Sequence, residues 1–304
     1  MRVFKNKRGE VRSGWIIAGV TLAVLIIMLI LALLAGFATV FFYISKTGST
    51  DFAEITRQTE GTIYTISMFI QQAVFILAPI ITWKFIMKRP LSGMGLRSLK
   101  SHGRELLVGM LLGIASISVV FAVLLLSGQA KVASWSPHLS ADMLTYLLLY
   151  IAVGFSEEIY GRGFVMATLR RTRSILAVVI ISAVIFALLH ITNSGMGILP
   201  FVNIILIGVL FAYMYLLSGN IWMCIGYHIT WNYFQGNIFG FLVSGTSSRG
   251  LLTTVIEKDT IFNGGAFGPE GGLVVTFIIL LGFIFVKSFY KGKSYTFLSD
   301  TLAQ

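Results

Sequence analysis

The sequence predicts an all-α polytopic membrane protein, and three observations carry that prediction. Of 304 residues, 56% are hydrophobic and only 12% charged, with a mean hydropathy of +0.87; an average soluble domain carries roughly 25% charged residues. Apolar windows of about 20 residues, enough for a helix to cross roughly 30 Å of hydrocarbon, recur along the whole chain. The lysines and arginines gather at alternate ends of those windows.

Taken in order, eight windows read as helices, at about 15–40, 63–86, 105–127, 143–161, 174–192, 198–217, 220–243 and 271–288. The first exceeds the roughly 7–15-residue core of a signal peptide and has no small-residue cleavage site behind it, so it is expected to remain as a helix. Arg2, Lys5, Lys7, Arg8 and Arg12 precede it, and Lys84, Lys88, Arg89, Arg97, Lys100 and Arg104 follow the second helix. Arg170, Arg171 and Arg173 follow the fourth, and Lys287, Lys291 and Lys293 flank the end of the eighth. The alternate connections hold only Lys46 and Arg57, then Lys131, then Arg249 and Lys258. Eight spans with both termini cytoplasmic satisfy the positive-inside rule throughout, and seven break it.

The same clusters account for the net charge of +11. Because they flank helix ends, they point to topology and anionic lipid headgroups, and nucleic-acid binding is not expected. The single cysteine, Cys224, allows no intramolecular disulfide and reads as a small apolar packing residue. No tandem repeat is present, and the longest connection is the Gly-rich stretch from about 244 to 271. A single helical domain over residues 1–304 is expected, because backbone in lipid must satisfy its own hydrogen bonds.

Against this background the stretch GFSEEIYGRGF at 154–164 stands out. Of twelve Asp and Glu, only Glu157 and Glu158 fall well inside a predicted membrane helix, where a carboxylate costs about 3 kcal/mol to insert. Glu158 and Arg162, four residues apart, share a helix face and form an ion pair with the acid on the favourable N-terminal side. Glu157 points about 100° away, on a face bounded by Gly154 and Gly161 that leaves room either for close helix packing or for a water and a peptide. His102 and His138 fall in polar connections and read as surface residues. His190 ends an apolar run one turn after Phe186, whose ring either orients the imidazole or packs, and His228 shares a face with Asn232. A carboxylate, two imidazoles and an amide from three helices can perform acid–base chemistry on a carbonyl, with imidazole and amide donors available to an oxyanion. The reaction class is amide hydrolysis.

These residues resemble a known family. Glu157, Glu158 and Arg162 fit an EExxxR motif, Phe186 and His190 an FxxxH motif, and His228 and Asn232 an HxxxN motif, in the order found in the CAAX-protease and bacteriocin-processing (Abi) family of intramembrane proteases, which includes the prenyl-protein endopeptidases. The resemblance covers about residues 143–243. It implies that Glu157 activates water with His190 assisting, that His228 and Asn232 form the oxyanion site, and that Glu158 and Arg162 hold the helix. One departure is Gly161, where the family often has an aromatic residue before the motif arginine.

Rival chemistries leave no trace: the chain has no HExxH, no rhomboid-type GxSG and no Gly-Asp pair. No cofactor is favoured, although Glu157, His190 and His228 form a donor set that zinc accepts. The expected partners are a membrane-associated peptide or protein substrate and the lipid bilayer itself, in a bacterial plasma membrane. A proton-coupled transporter is the rival class, since buried ionisable groups also mark ion pathways, but no inverted repeat is evident. A silent family member acting as scaffold or immunity factor is a further alternative. Counting 1.5 Å per residue sets His190 nearer the outer surface than Glu157; the discrepancy shrinks if residues 162–173 run along the cytoplasmic interface and the fifth helix enters later or tilts.

Overall fold

The computed structural model of the chain describes residues 3–6, 9–136, 141–248, 250–292, 295 and 297–299. His138, read as a surface residue, lies outside the described residues, as do Arg2, Lys7, Arg8, Arg249 and Lys293. Every apolar window falls on a helix: α1 (Ser13–Thr47), α2 (Phe52–Ile86), α3 (Leu99–Leu126), α4 (Ala141–Thr172), α5 (Ile175–Leu188), α6 (Ile198–Ser218), α7 (Trp222–Tyr233) and α8 (Leu273–Phe289). Among the described residues five helices are long and apolar enough to cross a membrane: α1, α2, the stretch Leu91–Leu126 containing α3, α4 and α6. Helices α5 and α8 are apolar but shorter, and α7 continues as a π-helical turn over Phe234–Ile238. The protein is a polytopic helical membrane protein. Residues that α1 leaves exposed, such as Leu29, Leu33, Phe37 and Phe41, are apolar, as a lipid-facing helix requires.

Local chemistry sets the ends. Gly48, left-handed at φ 70°, closes α1, and the Asp51 side chain accepts from the amides of Ala53 and Glu54 at the start of α2. In α2, Pro79 withdraws one amide and the last turn, Thr82–Ile86, widens to π geometry. Small residues bring α3 and α7 into backbone contact: a Cβ on Gly109 would lie 2.2 Å from the Met223 carbonyl oxygen, and one on Gly226 would lie 2.3 Å from that of Leu106. Thr230 ties the pair by donating to the Met110 carbonyl at 2.8 Å. Cys224 of α7 is fully buried, as expected of a packing residue, and its thiol donates to the Phe211 carbonyl of α6 at 3.2 Å.

The basic helix ends meet on one face. Ser13 at the start of α1 donates to the Thr168 carbonyl near the end of α4 (2.7 Å), and the Trp222 indole at the start of α7 donates to the Arg97 carbonyl (2.8 Å). Arg104 of α3 lies over the Phe289 ring at the end of α8. His102 belongs to this face as well; contrary to its reading as a surface residue it is half-buried, with Nδ1 3.2 Å from the Asn220 amide. On the opposite face Asn193 donates to the Ser244 carbonyl (3.1 Å) and Tyr146 to that of Ser247 (3.3 Å). That face also carries an element the apolar pattern does not reveal, an antiparallel pair of β1 (Lys131–Trp135) and β2 (Leu252–Val255).

The fourth helix corrects the sequence reading most. It does not stop at 161 and residues 162–173 do not lie along an interface: the helix runs from Ala141 to Thr172, with a π-helical stretch over Ile159–Met166. The apolar window ended early because Arg162 counts as a charge, yet Arg162 is fully buried and paired, so it stays inside the helix. Arg173, left-handed at φ 57°, then turns the chain, and the Ser174 hydroxyl caps α5 by accepting from the Ala177 amide. Glu157 lies fifteen residues before the end of α4, and His190 fifteen residues after the start of α5, so the two are level. The depth conflict disappears, with His190 Nε2 3.7 Å from Glu157 Oε2.

Candidate active site

The α4–α5 hairpin and α7 converge on Glu157. His190 stands just past the end of α5 with Nε2 3.7 Å from Glu157 Oε2, and His228 of α7 presents its own Nε2 to the same oxygen at 3.8 Å. Hydrogen-bond chemistry fixes both rings. His190 Nδ1 is 2.9 Å from the Phe186 carbonyl, which only accepts, so Nδ1 carries a hydrogen and Nε2 is turned toward Glu157. His228 Nδ1 lies 3.1 Å from Glu158 Oε1 and donates likewise. Glu157 Oε2 is buried and has no hydrogen-bond partner among the described residues.

Glu158 is occupied differently. Its Oε1 accepts from Arg162 at 2.9 Å in an ion pair whose side chains are both fully buried. The guanidinium also reaches the Gly208 carbonyl of α6 at 3.4 Å and lies between the rings of Phe186 (4.2 Å) and Phe211 (5.0 Å). Phe186 therefore does more than the sequence suggests: its carbonyl orients His190 while its ring supports Arg162. The two glycines near Glu157 differ in their surroundings. Gly154 serves close packing, since a Cβ there would lie 2.6 Å from Ile229 of α7, whereas a Cβ on Gly161 would meet nothing within 4 Å.

Glu157, His190, His228 and Asn232 line a cavity of about 430 Å³, within the roughly 300–1,000 Å³ usual for ligand sites. Asn232 sits one turn beyond His228 and is largely buried at 6% exposure. All seven residues singled out from sequence are thus brought to one place: Glu157, Phe186, His190, His228 and Asn232 line the cavity, and Glu158 and Arg162 lie behind it.

Residues 139–234 match the family model described as Type II CAAX prenyl endopeptidase Rce1-like, and this stretch holds all seven. They form an Rce1-like domain. The family supports a peptidase in general, and with the apolar helices it makes the protein a multi-pass membrane protein. No curated protein and no solved structure matches the chain.

Sequence reasoning missed the surroundings of the Rce1-like domain. Glu270, in the Gly-rich connection, lines the cavity and accepts from the Trp231 indole (3.3 Å) and from the amide and hydroxyl of Ser244 (2.6 and 2.9 Å). Ser156, next to Glu157, donates to Gln72 of α2 within the core. Glu270 was findable, as an acid set between Pro269 and Gly271 in a chain with few acids; Gln72 carries no such signal.

Proposed function

We propose that the protein is an intramembrane endopeptidase that hydrolyses a peptide bond in a membrane-associated substrate. The observation that carries the reading is the division of labour between adjacent carboxylates: Glu158 is bound to Arg162 and His228, while Glu157 Oε2 faces two imidazoles at the cavity and has no hydrogen-bond partner among the described residues. A water molecule donating to Glu157 and to His190 Nε2 fits between those acceptors. Glu157 takes its proton as the water oxygen bonds to the carbonyl carbon. His228, as an imidazolium flanked by Glu157 and Glu158, donates from Nε2 to the developing oxyanion, and the Asn232 amide is the second donor. Collapse breaks the C–N bond, and the proton held by Glu157 passes to the leaving amine.

We read the mechanism as metal-free. Two imidazoles and a carboxylate are a zinc donor set, but their 3.7 and 3.8 Å separations exceed the roughly 3.3 Å edge of a tetrahedral zinc site, and amides such as Asn232 are better donors than zinc ligands. Eight spans forming a single domain, with both termini cytoplasmic in a bacterial plasma membrane, complete the proposal.

The test compares membrane peptides accumulating in cells that carry wild-type protein or Glu157→Gln, followed by cleavage of the accumulated species by purified enzyme. Glu157→Gln should lower turnover by about 10²- to 10⁴-fold while the protein folds and extracts normally. A well-folded, fully active Glu157→Gln enzyme would refute the mechanism.

A further inference from the structure

Most of the cavity wall comes from one half of the molecule. On α4 its lining is the stripe Tyr146, Leu149, Tyr150, Val153 and Glu157, which begins near the start of the helix and stops at the acid; none of the fifteen later residues takes part. Helices α5 to α8 repeat the pattern, whereas α1 contributes Leu25 and Met28 from the half nearer its basic end. Within the cavity wall, α5 contributes nothing before Phe186, α6 nothing after Phe211, α7 nothing before Tyr227 and α8 nothing after Ile279. In each case the missing half is the one that ends among the Lys and Arg clusters.

That half is sealed. Below Glu157 lie the Glu158–Arg162 pair and then Phe164, Val165 and Met166, all fully buried and packed with Met94 and Tyr215. Gly163 leaves no slack there, since a Cβ on it would sit 3.2 Å from the Met94 carbonyl oxygen. The other end is open and polar: Thr192 is exposed, and Asn193, Ser244 and Thr246 are half-buried around it. Between mouth and acid the wall is largely apolar, with Leu149, Val153 and Ile204.

From this geometry we infer that substrate reaches Glu157 from the face opposite the basic helix ends. Under the positive-inside rule that face is non-cytoplasmic, so the substrate is an exported peptide, one with an apolar segment for the shaft and polar flanks for the mouth, and not a cytoplasmic tail. The inference rests on the peptidase reading above for its chemistry but not for its geometry.

Two experiments separate them. In a Cys224→Ala background, Thr192→Cys should react with a membrane-impermeant maleimide added to intact cells, in active and Glu157→Gln proteins alike; reaction only after permeabilisation would overturn the inference. Sealed right-side-out vesicles should cleave an added quenched-fluorescent peptide with an apolar centre and charged, impermeant ends. Inside-out vesicles should not cleave it until detergent is added, and cleavage by sealed inside-out vesicles alone would equally overturn the inference. Absence of cleavage even in detergent would defeat the peptidase reading, and the maleimide result would then decide access by itself.

Discussion

Replacing Glu158 and Arg162 by methionine, singly and together, separates stability from activity. Arg162 is fully buried, and its polar contacts are Glu158 Oε1 at 2.9 Å and the Gly208 carbonyl at a long 3.4 Å. Glu158→Met leaves that guanidinium with the distant carbonyl and two aromatic rings, and removing one partner of a buried pair costs about 3–5 kcal/mol. Arg162→Met leaves the carboxylate with His228 Nδ1 as its remaining partner among the described residues, at a similar cost. For a chain of this size either single change should lower the thermal midpoint by roughly 6–20 °C. The double variant removes both charges and fills the space with side chains of comparable length, so its stability should return to within about 1 kcal/mol of wild type or exceed it. Activity should not return, because His228 has lost the acceptor that orients its ring. The assay is thermal unfolding of detergent-purified protein followed by helical circular dichroism, with peptide cleavage measured in parallel. A double variant showing the sum of the single losses would refute the idea that the pair is a self-contained buried unit.

Other consequences are open to direct measurement. Single cysteines at Ser49, Ser136 and Ser248 should label from outside in a Cys224→Ala background, and cysteines at Ser13 and Ser98 should not; outside labelling at Ser98 would break the eight-span arrangement. Asn232→Ala should reduce kcat by about 10²- to 10³-fold with little change in KM, and a pure KM effect would remove Asn232 from the oxyanion site. Elemental analysis of active protein should find no stoichiometric zinc, whereas about one ion per chain, lost with activity in both His190→Ala and His228→Ala, would replace the metal-free mechanism with a zinc one. Gly226→Leu should destabilise by about 1–3 kcal/mol or more, since its side chain would start 2.3 Å from the Leu106 carbonyl oxygen; an unchanged thermal midpoint would show that α3 and α7 can separate freely.

Much of the site was legible because membrane interiors make polar residues conspicuous. Glu157, Glu158, Arg162, His190, His228 and Asn232 stand out against apolar neighbours, and helical spacing alone pairs Glu158 with Arg162, as observed at 2.9 Å. The helix ends were legible where charge marks them and illegible where charge misleads: Arg162 cut the fourth window short because a hydropathy count cannot register that its charge is cancelled one turn earlier. Glu270 and Gln72 escaped because their roles arise from contacts far apart in the chain, with Trp231 and Ser244 in one case and Ser156 in the other. The β1–β2 pair escaped for the same reason, its strands lying about 120 residues apart.

The hairpin of α4 and α5 is a ruler folded at its midpoint. Its crease is the turn at Arg173 and Ser174, and Glu157 and His190 are equal marks on its two arms. Adding or deleting a residue in one arm would slide one mark by about 1.5 Å and swing it by about 100°, so length matters more here than identity. Because the marks are set from the crease and not from the lipid surfaces, a thicker or thinner bilayer can tilt the arms together without changing the gap between acid and imidazole. The enzyme should therefore keep its acid–imidazole geometry across lipids of different chain length, and what those lipids change is how far a substrate must travel to reach it.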